Sequence, residues 1–192
     1  MELQKGDALV IVDVQNDFLS GGALPVPHGD DVVPVLNTYI TKFVEKELPV
    51  FATRDWHPRN HSSFTEYGGR WPRHCVINTF GAEFPLGLHF PPKVIIISKA
   101  IYVSMDAYSG FSGTSLNSRL TDMGITRVFI GGLATDYCVK ATVQDAVVNF
   151  GHNTYYLQDA SRAVNVKPTD GEEAEQAMKL SGAKIITLKD LE

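Results

Sequence analysis

The feature that most constrains this chain is the alternation of short apolar runs, rich in β-branched residues, with segments of helical period. The runs start at Ala8, Val50, Val94, Val128 and Lys184, with a less apolar one at Thr154. Each has the length of a strand rather than of a helix. Between most of them apolar residues recur at helical spacing: Val33, Leu36, Ile40, Phe43 and Val44; Leu116, Leu120 and Met123; Val139, Val143, Ala146, Val147 and Phe150; Ala174, Ala177 and Met178. This order predicts six strands in a mostly parallel sheet, because parallel neighbours require a crossover and a helix is the usual one. Val128-Phe129-Ile130 is apolar without a break, as expected of a strand covered on both faces. The predicted fold is α/β, a three-layer α/β/α sandwich.

A chain of 192 residues suits one compact unit. With no repeat, low-complexity tract or linker, residues 1–192 read as a single domain. Two stretches, 19–29 and 57–92, lack periodicity, and the second is too long to be an idle connection. The excess of 22 acidic over 17 basic residues, a net charge of -5, provides no basic field to concentrate nucleic acid or an anionic membrane. The first apolar run ends directly in Asp13, unlike a signal peptide. No run approaches a membrane span, so a cytoplasmic protein is expected. In such a compartment Cys75 and Cys138, the two cysteines, are expected to be free thiols.

Ligands of open parallel sheets bind beyond the carboxyl ends of the strands, so the residues that end each run are of interest. They are Asp13, Asp55 and Lys99, and the fourth run leads through Gly131-Gly132-Leu133-Ala134 to Cys138. Asp13 suits either a turn cap or a site carboxylate, and Lys99 either a solvated strand end or a site cation. Cys138 suits either a small core residue or a nucleophile. The second reading of Cys138 gains from its place early in a helix expected to be capped by Thr135 or Asp136, whose positive end would favour a thiolate. The glycines upstream would let the backbone approach a substrate, and the N–H groups of Ala134 and Cys138 could form an oxyanion hole.

Asp55-Trp56-His57-Pro58-Arg59-Asn60-His61 offers a carboxylate and imidazoles at close spacing, and His74 follows in Trp71-Pro72-Arg73-His74-Cys75. On an extended segment Asp55 and His57 project to one face and Trp56 to the other, a spacing that suits chelation of a divalent metal. Glu66 and His61 are candidate additional or outer ligands. Cys75 is a candidate ligand too, but beside His74 a packed thiol is the favoured expectation.

These residues carry a resemblance that covers nearly the whole chain. The segments Asp13-Val14-Gln15-Asn16-Asp17-Phe18, Arg54-Asp55-Trp56-His57, Trp71-Pro72-Arg73-His74-Cys75, Ser98-Lys99-Ala100, Tyr108-Ser109-Gly110-Phe111 and Gly131 to Val139 resemble those of nicotinamidases in the isochorismatase-like cysteine hydrolase superfamily. The resemblance implies a Rossmann-like fold and a catalytic triad of Asp13, Lys99 and Cys138. It implies metal ligands Asp55, His57 and His74, and a cis peptide joining Leu133 to Ala134. It also implies a slot for an aromatic ring formed by Phe18, Trp71, Tyr108 and Ala134. The implied activity is hydrolysis of nicotinamide to nicotinate and ammonia in NAD salvage, with pyrazinamide also accepted. One divalent ion per chain is implied, zinc first and iron or manganese as alternatives, and a homo-oligomer is compatible with the family. Relatives acting on ureido compounds or isochorismate share fold and triad; the metal ligands argue against them here.

Overall fold

A computed structural model describes residues 1–191. Its six strands are β1 (Asp7–Val12), β2 (Val50–Asp55), β3 (Ile95–Lys99), β4 (Arg127–Leu133), β5 (Asn153–Arg162) and β6 (Lys184–Ile186). They form one sheet in the order β3-β2-β1-β4-β5-β6. Every pairing is parallel, so the sheet is wholly rather than mostly parallel. The helices are α1 (Val32–Glu45), α2 (Leu116–Asp122), α3 (Lys140–Gln144) and α4 (Asp170–Leu180). α3 is flanked by π-helical turns at Thr135–Val139 and Asp145–Asn149, so the helical pattern over Val139–Phe150 is built from three short pieces.

β1 shows why its apolar run is unbroken. Leu9 and Ile11 pack on one face with Leu36, Tyr39, Ile40 and Phe43 of α1. Ala8, Val10 and Val12 pack on the other with Leu116 and Leu120 of α2, Val143 of α3 and Met178 of α4. Alternate residues of one strand thus serve two cores. Full burial of each such Leu or Ile is worth about 1.5–3 kcal/mol, which fixes the register and hence the position of every strand end. Among the described residues no helix is long and apolar enough to cross a membrane.

Strand order reverses between β1 and β4, the point at which doubly wound sheets open a crevice. Asp13 leaves β1 with φ 50, and the Leu133–Ala134 peptide that leaves β4 is cis. The glycines of β4 have a packing task. A Cβ on Gly132, at φ 130, would lie 2.1 Å from the Val12 carbonyl oxygen, and one on Gly131 would crowd Leu157 and Ala160. They permit close packing of β4 on β1 and β5.

Candidate active site

Asp55 and Lys99 are register partners at the ends of β2 and β3, so their side chains meet. Lys99 Nζ lies 2.5 Å from Asp55 Oδ1, 2.9 Å from Asp13 Oδ2 and 3.5 Å from Cys138 Sγ, and it donates to the Ala107 carbonyl at 2.9 Å. All five residues are buried. Asp13, Lys99 and Cys138 are therefore brought together as the sequence predicted. An oxygen of Asp13, an oxygen of Asp55 and Cys138 Sγ also lie within 4.8 Å of one another. That group already surrounds the Lys99 ammonium, which supplies its counter-charge and disfavours a second cation.

The electrostatics divide the two carboxylates. Burial pushes the Asp13 carboxyl above its ordinary value, against the opposing pull of Lys99. Burial acts on Asp55 in the same direction, but Lys99 and His57 outweigh it and hold its carboxyl well below the usual range. Lys99 is driven down by burial and up by both aspartates, with the upward effect dominant, so it stays an ammonium. Burial pushes the Cys138 thiol well above its ordinary value, against Lys99. Burial thus acts on this thiol in the direction opposite to the helix effect expected from the sequence. With an Asp13 oxygen within 4.8 Å of its sulfur, a thiol raised by burial has that carboxylate at hand as its base.

The capping expectation is corrected. The residue preceding the helical turn is Ala134, and no side chain caps it. Thr135 Oγ1 instead contacts the Tyr156 hydroxyl at 3.3 Å, and Asp136 accepts N–H groups from Val164 and Asn165. The Tyr137 and Val139 N–H groups donate to the Ala134 carbonyl at 3.0 and 3.1 Å, leaving the intervening Cys138 N–H outside that pattern.

Asp55, His57 and His74 each offer a ligand atom within 4.8 Å of the others, all buried. His57 reaches His74 because its segment pairs with Cys75–Ile77: His57 N–H donates to the Cys75 carbonyl and Ile77 N–H to that of His57. Both ring nitrogens of His57 are buried without a hydrogen-bond partner, a costly state unless something else engages them. His74 Nδ1 lies 2.7 Å from the Pro72 carbonyl, which directs Nε2 inward, and burial lowers the pKa of its imidazole. A carboxylate held ionised, a neutral histidine and an orphaned one fit a divalent cation.

Glu66 and His61 do not join this group. Glu66 is exposed and ion-paired with Arg73, because its one-turn helix at Thr65–Tyr67 lies on the surface. His61 is buried with its ring centroid 4.3 Å from that of His57, but Nδ1 contacts Ser63 Oγ and Nε2 the Met105 carbonyl. It supports His57 by packing. Cys75 is a buried free thiol outside the cluster, as expected.

Beside Cys138 and His74 opens a slot whose walls include Phe18, Trp71, Tyr108, Ala134, Tyr137 and Val164. Phe18 meets the His74 ring at 5.6 Å between centroids, and the Trp71 indole donates to the Tyr108 hydroxyl at 3.1 Å. The four expected ring-contacting residues thus share one cavity. Three supporting side chains escaped the sequence reading. Thr53 donates to Asp13 Oδ1 at 2.6 Å. Gln15 donates to the Asp55 carbonyl and accepts the Asp55 N–H, each at 2.8 Å. Asp17 accepts the Cys75 N–H at 2.7 Å. Gln15 and Asp17 lie inside the run that opens at Asp13, the signal that could have found them; Thr53 becomes visible only once β1 and β2 are in register.

Comparison with known proteins agrees with this geometry. The isochorismatase domain model matches residues 7–190. A nicotinamidase of Escherichia coli is 39% identical, with 96% of each chain covered. The structure of a pyrazinamidase of Pyrococcus horikoshii in complex with zinc superposes with a TM-score of 0.91 at 51% identity, covering 95% of this chain and 99% of that one. That of PnC1 from L. infantum in complex with nicotinate gives 0.89 at 33% identity, covering 98% and 96%. This chain belongs to the isochorismatase family.

Proposed function

We propose that this protein is an amidohydrolase that converts nicotinamide to nicotinate and ammonia, and that residues 1–192 act as one cytoplasmic hydrolase domain serving NAD salvage. The observation that carries the reading is the buried meeting of Asp13, Lys99 and Cys138 beside an aromatic slot that is also lined by Asp55 and His74 of the Asp55-His57-His74 group.

Asp13 takes the thiol proton as Cys138 Sγ attacks the amide carbonyl, and Lys99 keeps the charged partners together. The N–H groups of Ala134 and Cys138 hold the oxyanion, each worth about 3 kcal/mol of barrier. Asp13 returns the proton to the departing amine, giving ammonia and a thioester on Cys138. Asp13 then accepts a proton from a water that attacks the thioester, and nicotinate leaves as the thiol reforms. Asp55, His57 and His74 would hold one divalent ion, with zinc the first choice and iron or manganese suited to the same donors. When bound, that ion supplies a Lewis-acid contact that orients a pyridine ring. Phe18, Trp71 and Tyr108 confine the ring, and a pyrazine ring, which is as flat and as small, should be accepted.

The test is ammonia release from nicotinamide by wild type, by Cys138→Ala and by chelated protein with each metal restored. Release by wild type, lost in the variant and the chelated form and regained with metal, is the expected result. Silence from folded, metal-loaded wild type would overturn the reading.

A further inference from the structure

Asp136 lies two residues before Cys138 and is buried, yet its carboxylate is engaged outside the triad. Oδ1 accepts the Val164 N–H and Oδ2 the Asn165 N–H, both at 2.9 Å. These residues belong to the loop between β5 and α4. Asn165 has a left-handed backbone, φ 53, and its Oδ1 accepts the Gly171 N–H at 2.8 Å in the first turn of α4. The joint is close-packed, since a Cβ on Gly171 would come within 2.8 Å of Ala163 Cβ. Val164, bonded to Asp136 through its backbone, lines the slot together with Tyr137 and Cys138.

We propose that Asp136 is a positioning residue that latches this loop to the nucleophile turn, and that Val164, held there, sets the largest ring amide that can reach Cys138. The inference rests on the ring-amide reading above. A carboxylate can accept two backbone N–H groups at once, and such charge-assisted bonds are strong. An asparagine offers one acceptor oxygen and turns its NH2 toward the second N–H, leaving a buried donor unpaired. The loop then relaxes and the wall recedes. The favoured class is an unsubstituted six-membered ring carboxamide; ring-alkylated or fused bicyclic carboxamides are excluded by Val164.

The experiment compares metal-loaded wild type, Asp136→Asn and Val164→Ala. Ammonia release is measured from nicotinamide and from quinoline-3-carboxamide, and alkylation at the Cys138 peptide is measured with a small and a bulky maleimide at alkaline pH. In Val164→Ala the kcat/KM for the bicyclic amide relative to nicotinamide is expected to rise about tenfold. In Asp136→Asn the KM for nicotinamide is expected to rise about fivefold with a smaller fall in kcat, and selectivity to shift in the same direction. Both variants should favour the bulky maleimide more than wild type does. Unchanged selectivity and alkylation ratios in both would overturn the inference. If Asp136→Asn fails to fold, Asn165→Gly, which releases the same loop from Gly171 and leaves Asp136 in place, replaces it with the same expected shifts. A wild type silent on nicotinamide would overturn the functional reading alone, and the alkylation ratios would still decide the latch.

Discussion

The Thr53 hydroxyl donates a 2.6 Å hydrogen bond to Asp13 Oδ1, which leaves Oδ2 facing Lys99 at 2.9 Å. The bond fixes the carboxylate plane that has to meet the thiol. Thr53→Val keeps the side-chain shape and removes the donor. We expect kcat for nicotinamide to fall about tenfold, the cost of a buried bond to a charged group, with KM little changed. Steady-state kinetics would check this, and an unaltered kcat would show that Asp13 is oriented by Lys99 alone.

Lys99 neutralises two buried carboxylates. Lys99→Met should abolish turnover and destabilise the fold by about 3 kcal/mol or more at neutral pH, because unpaired charges remain buried. Asp55 is held below its ordinary value in the native state, so its stabilisation is present above the ordinary carboxylate range and is lost as pH falls through its depressed value. The variant lacks that contribution and regains stability when its carboxyls protonate. The gap between urea midpoints should therefore narrow as pH falls through the carboxylate range; a gap that widens would contradict this account.

With burial raising the Cys138 thiol well above its ordinary value, the thiolate fraction in the free protein is small at neutral pH and grows as pH rises. Alkylation by neutral iodoacetamide should climb steadily from pH ~6 to ~9 without a plateau near neutrality. A plateau at neutral pH would point to a preformed thiolate and remove the need for Asp13 as base.

The orphaned ring nitrogens of His57 imply that the protein binds about one divalent ion per chain and that His57→Ala binds none, as elemental analysis would read. Chelation should lower the melting temperature of wild type, since a ligand at about 100 times its Kd contributes about 2.7 kcal/mol, and should leave His57→Ala unmoved. Equal metal content in the two proteins would place the ion elsewhere.

Glu66 pairs with Arg73 on the surface rather than with the buried ligands. Glu66→Gln should retain full metal content and activity within about twofold of wild type. Loss of the metal would restore Glu66 as a ligand.

The fold was legible because each of its signals is local. Strand-length apolar runs and helical periods predicted six strands and a three-layer sandwich, and most strand boundaries moved by one residue. The site was half legible. Asp13, Asp55 and Lys99 announce themselves as polar residues ending apolar runs, and the Asp-x-His spacing follows from the pleat of one strand. Glu66 and His61 could not be sorted by sequence, since proximity along a loop says nothing of which side chain turns inward. The Thr53–Asp13 bond and the Asp136 latch join segments 40 and 28 residues apart. Periodicity and strand termini are properties of a few neighbouring residues, so the sequence by itself determined the elements and the edge on which function would lie. Register, burial and the partner of each polar atom depend on long-range packing. Only the tertiary structure decided that Cys138 is buried beside Lys99, that the β4 glycines sit where a Cβ would strike neighbouring strands, and that neither ring nitrogen of His57 has a hydrogen-bond partner.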